Sequence, residues 1–205
     1  MHMAIGSMIA AALTGLAAST AVTLAGSQSG QSRFVPAAAA PADALQDFQV
    51  RLADGEAYID QVHYDEAGSP VAFTMRVGAG SRFAARFRPA LPVRIDAEDV
   101  LFDARRGVVV VPFGEHDLLA QQAAASIALA DADSVVPAGT AVITDRGHRF
   151  GEIVEDAADT PEAGQVLMIR LYGAGGGLQR VPAACAGLVP ETGLVVVRAC
   201  NLDTV

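Results

Sequence analysis

Residues 145–156 of the 205-residue chain read DRGHRFGEIVED. An Asp/Gly turn leads into alternating apolar residues and an acidic end, which is typical of one arm of a β-hairpin. A similar order stands earlier in the chain, in LADGEAYIDQVHYDEAG at residues 52–68. At a constant offset of 91 the matches are Asp54 with Asp145, Ile59 with Phe150, Val62 with Ile153 and Asp65 with Asp156. This self-similarity predicts that the fold contains two copies of one unit.

Two further blocks repeat in the same order. Phe73, Arg76 and Val77 match Leu167, Arg170 and Leu171 at an offset of 94. Arg94, Ile95 and Ala97 match Arg180, Val181 and Ala183 at an offset of 86, and the same offset carries Gly107–Val111 onto Gly193–Val197. All length differences between the copies fall in turns rich in Gly, Pro and Asp. We therefore expect each copy to be the same small β unit.

Short runs rich in Val, Ile and Leu, bounded by Gly, Asp or Pro, make the body of the chain mainly β. The exception is Glu115–Ala130, where the apolar spacing and the Ala and Gln content predict a helix. Strands this short must cover their apolar faces by curling or pairing the sheet. We expect a small closed barrel or sandwich in each half, with one short helix joining the two.

The order of these blocks resembles the PRC-barrel family, named after the cytoplasmic domain of the photosynthetic reaction centre H subunit. The second copy has DRGHRFGEIVED, then GQVLMIRLYGAGGG, LQRVPA and GLVVV; the first has PVAFTMRVGAG, LPVRIDAEDVLFDARRGVVVV and the trailing GEHDLLAQ. The first copy departs from the family at Tyr58–Asp60, since the Gly usual before the acidic residue is present only in the second copy, as Gly151. The resemblance implies two tandem barrels used for protein docking and assembly, without catalysis in most members.

The N-terminal residues 1–30 form an Ala-rich apolar segment with no charged residue between Met3 and Gly30. The stretch is long enough for a membrane anchor, and the first Arg residues follow it, which would orient the body of the chain toward the cytoplasm. A cleaved export signal and a tail that contacts a partner are alternatives. Residues 31–44, with Pro36 and Pro41, are predicted to be a linker, followed by the first unit at 45–130 and the second at 131–205.

Charge excludes several classes of function. The 14 basic residues are all Arg, so chemistry that needs a lysine, such as a Schiff base or a phosphate-loop lysine, is excluded. With 23 acidic residues the net charge is -9, which disfavours a nucleic-acid partner. The glycines of Gly173–Gly177 suggest a phosphate-binding loop, but the following residues have strand character, so a hairpin turn is predicted.

Three histidines have carboxylates beside them in the sequence: His63 with Asp65 and Glu66, His148 with Asp145 and Glu152, and His116 with Glu115 and Asp117. Their spacing does not fit a metal site, and surface turns are the expected location. A second hypothesis is that His63, Asp65, Glu66, Asp145, His148 and Glu152 serve in docking or relay protons at a membrane-facing surface, because imidazole titrates near neutral pH. Cys185 and Cys200, the only cysteines, could pair in an oxidising compartment.

No nucleophile motif, metal cluster or cofactor loop is evident in the sequence. We therefore expect a non-catalytic docking subunit of a membrane protein complex, with other protein subunits as partners, no cofactor, and membrane contact through residues 3–30. The barrels would lie on the cytoplasmic side. The first alternative is an exported, periplasmic or secreted β-protein with a cleaved signal and a Cys185–Cys200 disulfide. The second is an enzyme whose residues converge only in the fold.

Overall fold

The computed structural model describes residues 34–37, 45, 49–78, 89–103, 106–132, 136–154, 165–173 and 175–199. Over these residues the chain is mainly β with one α-helix. The predicted membrane-associated segment 1–30 and most of the predicted linker lie outside the described residues. Among the helices that the structure describes, none has the length and apolar character needed to cross a bilayer.

The first half of the described chain forms a seven-stranded sheet in the order β1-β6-β7-β2-β3-β4-β5. Most of its pairs are antiparallel, but β2 and β7 are parallel. The strands are β1 (Phe34–Pro36), β2 (Gln49–Arg51), β3 (Glu56–Tyr64), β4 (Pro70–Val77), β5 (Leu91–Asp96), β6 (Leu101–Asp103) and β7 (Val108–Val110).

Helix α1 (Glu115–Ala124) follows, and then a second seven-stranded sheet in the order β12-β11-β10-β9-β14-β13-β8. Read from β5 and from β12, the two sheets have the same strand order, including one parallel pair, β9 with β14. The strands are β8 (Ile127–Ala128), β9 (Ala141–Thr144), β10 (Arg149–Ile153), β11 (Val166–Leu171), β12 (Leu178–Pro182), β13 (Ala186–Leu188) and β14 (Val195–Val197).

The strand register agrees with two of the three sequence offsets. Thr74 lies opposite Arg94, and Met168 lies opposite Arg180, which is the pairing that the offsets of 94 and 86 require. Gly173–Gly177 stands in the β11–β12 connection, and Leu171 N–H donates to Gly177 O across it, so the predicted hairpin is confirmed.

The offset of 91 in the first block is wrong for the strands. Ile59 lies opposite Met75 and Ile153 lies opposite Ile169, so Ile59 corresponds to Ile153, 94 residues later, and not to Phe150. The difference arises in the connections before these strands, because Val50 pairs with Ala57 seven positions later, whereas Val142 pairs with Gly151 nine positions later. Asp54 and Asp145 lie in these connections of unequal length, so an offset that aligns the two turns does not align the strands that follow.

The predicted helix Glu115–Ala130 is too long. Helix α1 ends at Ala124, where the Ser126 hydroxyl donates to Ala123 O at 2.7 Å. Ile127 then pairs with Leu188 as part of β8. The apolar spacing continues past the helix because Leu129 is buried in the core of the second sheet, and not because the helix continues.

The two sheets share a core. Leu118 and Leu119 of α1 are fully buried beside residues of both sheets in one cluster. The members of this cluster from the second half are Ile143, Val189, Leu194 and Val196. A second cluster, around Ile153, Ile169 and Val181, lies within the second half. The shared cluster means that separating the halves would expose apolar surface, which costs about 25 cal/mol per Å².

Candidate functional site

A cleft of about 400 Å³ lies where the two halves meet. Its walls come from the β2–β3 loop, the start of α1 and the β9–β10 turn. The lining residues are Asp54, Glu115, His116, Gly147, His148 and Arg149. Three of these six, Asp54, Glu115 and Arg149, are acidic or basic side chains and two are histidines, so the cleft is strongly polar.

Arg149 connects the halves across this cleft. Its side chain is 11% exposed, and its Nε donates to Glu115 Oε1 at 2.6 Å. Its Nη1 donates to Pro89 O and its Nη2 to Val77 O, the latter at 3.1 Å. The guanidinium of the second sheet is therefore held by one carboxylate and two backbone carbonyls of the first half. A planar group with five N–H donors suits such a site, and an ammonium does not.

Gly78 makes room for this guanidinium. A Cβ at Gly78 would overlap Arg149 Nη2 and approach Glu115 Oε2 to 3.2 Å. Gly78 also has φ of +78°, a conformation that glycine adopts without strain. The position of the Arg149 guanidinium therefore requires a residue without a side chain at Gly78, 71 positions earlier.

Asp54 supplies the N-terminal cap of α1 from a distant loop. The N-cap residue is Gly114, which has no side chain to accept a hydrogen bond. Asp54 Oδ1 accepts from Glu115 N–H at 2.9 Å instead, and Asp117 Oδ2 accepts from Gly114 N–H at 3.3 Å. Asp54 thereby satisfies a helix donor that would otherwise lack a partner.

His116 and His148 stack at the mouth of the cleft. Their ring centroids are 4.6 Å apart with an interplanar angle of 23°. His116 comes from the first turn of α1 and His148 from the β9–β10 turn, and both are exposed. The stack exists because Gly147, with φ of +78°, lies so close to α1 that a Cβ there would be 2.5 Å from Ala120 N.

The polar side chains of the cleft make contacts within the fold. Asp54 caps the helix, Glu115 binds Arg149, and the two imidazoles face each other. Burial raises the pKa of the neighbouring Tyr172 to about 12, and the Glu152 carboxylate adds to the rise. The Tyr172 phenol is therefore protonated at neutral pH. Within the described ranges, no three His, Cys, Asp or Glu side chains converge as a cation site.

The sequence predicted Asp145 and Glu152 as the neighbours of His148, and the structure shows a different neighbour. His148 stacks on His116, while Glu152 forms an ion pair with Arg170 at 2.9 Å across β10 and β11. Asp145 is exposed in the β9–β10 turn, where its backbone N–H donates to Val197 O. Asp145 and His148 precede β10 in the β9–β10 turn, and a β-bulge between Arg149 and Gly151 breaks the side-chain alternation before Glu152.

His63, Asp65 and Glu66 lie at the far end of β3. His63 Nε2 is 2.8 Å from Thr74 Oγ1 on β4, so the imidazole bonds across the strands. Asp65 Oδ1 accepts from Ser69 N–H at 2.7 Å and closes the β3–β4 turn, in which Glu66 is exposed. The expectation of a surface turn holds for Asp65 and Glu66, and the proton-relay hypothesis stays a prediction.

Sequence reasoning missed Arg149, Asp54 and Gln122. Gln122 is 7% exposed and forms two hydrogen bonds with the backbone of Arg94 in β5: its Nε2 donates to Arg94 O at 2.8 Å, and its Oε1 accepts from Arg94 N–H at 3.1 Å. The only signal in the sequence was a polar residue at a helix position next to apolar ones. No spacing rule links it to a strand 28 residues away.

We predict that His63 makes the free energy of unfolding depend on pH. Burial lowers the pKa of His63 below 6.5, and the Arg94 guanidinium lowers it further, against a smaller rise from Glu191. Below the ordinary pKa the unfolded chain takes up the proton first, so this stabilisation is present above pH 6.5 and is lost as the pH falls through the folded pKa.

Urea unfolding of the wild type and of His63→Gln at about pH 8 and about pH 5 measures this dependence. The wild type is expected to lose more stability on acidification than His63→Gln. The other titrating groups are common to both proteins, so equal losses would contradict the prediction.

Cys185 is disulfide-bonded in the structure. It is the last residue of the 3-10 turn Ala183–Cys185 and is 7% exposed. Cys200, the other cysteine of the sequence, lies outside the described residues.

No protein-family model matches this chain, and no curated protein is similar to it.

Proposed function

We propose that this chain is a non-catalytic docking subunit of a membrane protein complex, and that its two sheets form tandem PRC-like barrels. The repeated strand order of the two sheets and the shared register of β4–β5 and β11–β12 support a duplicated unit. The resemblance in sequence blocks supports the family. A duplicated β unit gives the chain two related surfaces, which suits a scaffold that contacts more than one protein.

The observation that carries the proposal is the connection between the halves. Arg149 and the shared core hold the two sheets together. Two surfaces joined in this way bind a partner with a smaller loss of orientational freedom than two surfaces on a loose linker. The Arg149 guanidinium thus helps to hold the two sheets in one relative position, and a subunit that positions other proteins needs such a fixed arrangement.

The charge of the chain favours basic faces on its partners. A net charge of -9 attracts Arg- or Lys-rich protein surfaces and repels a nucleic-acid backbone. We propose membrane contact through residues 3–30, with the barrels on the cytoplasmic side. The asymmetry of Arg residues around that segment is the support for this orientation.

The disulfide at Cys185 favours a second candidate, an exported β-protein of the cell envelope. Disulfides persist in oxidising compartments and are rare in the cytosol. In that case the apolar N-terminal segment would be a signal that is removed. The docking role is the same in both candidates, but the side of the membrane differs.

The two candidates are separated by the mass of the chain isolated from its native cells. Loss of roughly 25 N-terminal residues, together with the two hydrogens released by a disulfide, would assign the protein to the envelope. An intact N-terminus with free thiols supports the cytoplasmic side.

The docking role is tested by affinity purification of the tagged full chain from detergent-solubilised native membranes. The expected result is a defined set of co-purifying chains in constant ratio to the bait. The same purification is repeated with Arg149→Ala. This variant is expected to co-purify with less of that set, because the two sheets lose their fixed relative position. A bait that elutes as a monomer without companions would contradict the proposal.

A further inference from the structure

We infer that Asp54 is a site of slow spontaneous modification, at which its side chain closes on the backbone nitrogen of Gly55 and rearranges to an isoaspartate. Asp54–Gly55 is the one Asp–Gly pair in the sequence. In this reaction the backbone nitrogen that follows an aspartate attacks the side-chain carboxyl carbon, and a following glycine leaves the approach free of a Cβ. The inference concerns the wall of the cleft and does not require the proposed docking function.

The β2–β3 turn presents this pair to solvent. Leu52 N–H donates to Gly55 O at 2.9 Å, so Ala53 and Asp54 form the tip of a hairpin. Asp54 and Gly55 are both exposed. A Cβ built at Gly55 would meet no atom within 4 Å apart from its chain neighbours. Water, which the reaction first releases and later takes up, therefore has access to the site.

The nitrogen of Gly55 is available for the attack. Among the residues that the structure describes, none accepts a hydrogen bond from Gly55 N–H. The N–H of Ala53 in the same turn, by contrast, donates to Phe113 O at 3.1 Å. A bonded amide must give up its hydrogen bond before its nitrogen can attack, and Gly55 has no such bond to break.

The carboxyl group of Asp54 is held by the helix that it caps. Its Oδ1 accepts from Glu115 N–H at 2.9 Å. When a nucleophile adds to the carboxyl carbon, negative charge develops on this oxygen, and a fixed N–H donor stabilises that charge as it does in an oxyanion site. The positive end of the α1 dipole acts in the same direction. The hydrogen bond that caps the helix therefore also favours the closure.

The reaction needs no reagent other than water. As the bond from the Gly55 nitrogen to Asp54 Cγ forms, the N–H proton and the hydroxyl of the protonated carboxyl leave as water, which closes a succinimide ring. Water then adds to either ring carbonyl. Addition at the former main-chain carbonyl breaks its bond to the Gly55 nitrogen, so that the main chain runs through Cβ and Cγ of Asp54. Nothing is oxidised or reduced.

Isoaspartate at this position does not reproduce the cap of α1. The main chain of the turn is longer by one carbon, and the free carboxylate is attached to Cα and not to Cβ. Glu115 N–H then loses its acceptor, and a wall of the cleft changes shape. Because Glu115 also binds Arg149, the modification is expected to loosen the contact between the halves.

Incubation of the folded full chain for weeks at neutral pH tests the inference. Isoaspartate is measured by methyl transfer from labelled S-adenosylmethionine with a protein isoaspartate methyltransferase, and it is located by peptide mass spectrometry. The expected result is methyl acceptance at Asp54, preceded by a peptide that is lighter by one water. The amide hydrogen of Glu115 is expected to exchange faster in the aged chain than in the fresh chain.

Gly55→Ala is the matched control variant. The open space at Gly55 and a φ outside the left-handed region accommodate the new methyl group, so the urea midpoint is expected to stay unchanged. The methyl group hinders the attacking nitrogen, so most of the methyl acceptance is expected to be lost.

Asp54→Asn provides a second, faster readout. The amide keeps Oδ1 as an acceptor for Glu115 N–H, and it closes the same ring with loss of ammonia. This variant is expected to react faster than the wild type, because its side chain is not a carboxylate anion. Its reaction is measured as the mass gain that accompanies deamidation.

Four results would overturn the inference: no methyl acceptance by the folded chain, methyl acceptance only after unfolding in urea, equal rates for the wild type and Gly55→Ala, or an Asp54→Asn chain that does not deamidate while folded. The last result would show that the turn holds the side-chain carbon of residue 54 away from the Gly55 nitrogen. The docking role is tested separately by co-purification and stands or falls independently of these results.

Discussion

Arg149→Ala is expected to lower the free energy of unfolding by about 3 kcal/mol. The substitution removes the guanidinium that joins β10 to Glu115 and to the carbonyls of Val77 and Pro89. Those acceptors are then left beside a cavity at the junction of the halves, and Glu115 loses its counter-charge. The value lies at the low end for a broken buried ion pair because Glu115 is 25% exposed and gains some hydration.

Arg76→Ala is the matched control for this prediction. Arg76 pairs with Asp60 at the same kind of distance, 2.9 Å, but the two side chains are 37% and 39% exposed. Water replaces such a pair readily, so the expected loss is no more than about 1 kcal/mol. Equal losses of unfolding free energy for Arg149→Ala and Arg76→Ala in chemical denaturation would show that Arg149 stabilises the fold no more than an exposed ion pair does.

Gly147→Ala is expected to lower the free energy of unfolding by about 3 kcal/mol as well, for a steric reason. Roughly 1 kcal/mol of this comes from placing a Cβ at φ of +78°. The remaining ~2 kcal/mol comes from overpacking, since the new Cβ would lie 2.5 Å from Ala120 N and 2.6 Å from His116 O. The contact is with helix backbone, which has no alternative rotamer to adopt.

Gly139→Ala separates the two contributions. Gly139 also has a positive φ, +85°, but no atom lies within 4 Å of the position of its Cβ. Only the conformational cost of about 1 kcal/mol is expected there. Thermal or urea unfolding of the two variants measures the difference, and a Gly147→Ala protein as stable as Gly139→Ala would mean that the turn does not lie against α1.

The fold was predictable where apolar periodicity and strand register coincide. The offsets of 94 and 86, read from Phe73–Val77 and from Arg94–Ala97, give the observed pairing of β4 with β5 and of β11 with β12. The offset of 91 failed in β3 and β10 because the connections before these strands differ in length: Val50 and its partner Ala57 are seven positions apart, and Val142 and its partner Gly151 are nine. The matching turn residues did not indicate this difference, because Asp and Gly suit turns of either length.

The site was less predictable than the fold. His148 was singled out, but its partner His116 was assigned to a different group because the contact joins residues 32 positions apart. Arg149 was not singled out, since an Arg on a strand next to Phe150 is ordinary in sequence. Its role depends on Gly78 and on two carbonyls, and backbone acceptors leave no trace in residue types.

The duplicated unit, on which the proposed docking function depends, is tested most directly by the strand register of both sheets in solution. Residues opposite each other between hydrogen-bonded pairs have Cα atoms about 4.5 Å apart, so their α-protons give strong mutual NMR contacts. The structure predicts such contacts both between Thr74 and Arg94 and between Met168 and Arg180. Contacts of Arg180 with any residue of β11 other than Met168 would contradict the repeat and the assignment of Arg180 to the place of Arg94.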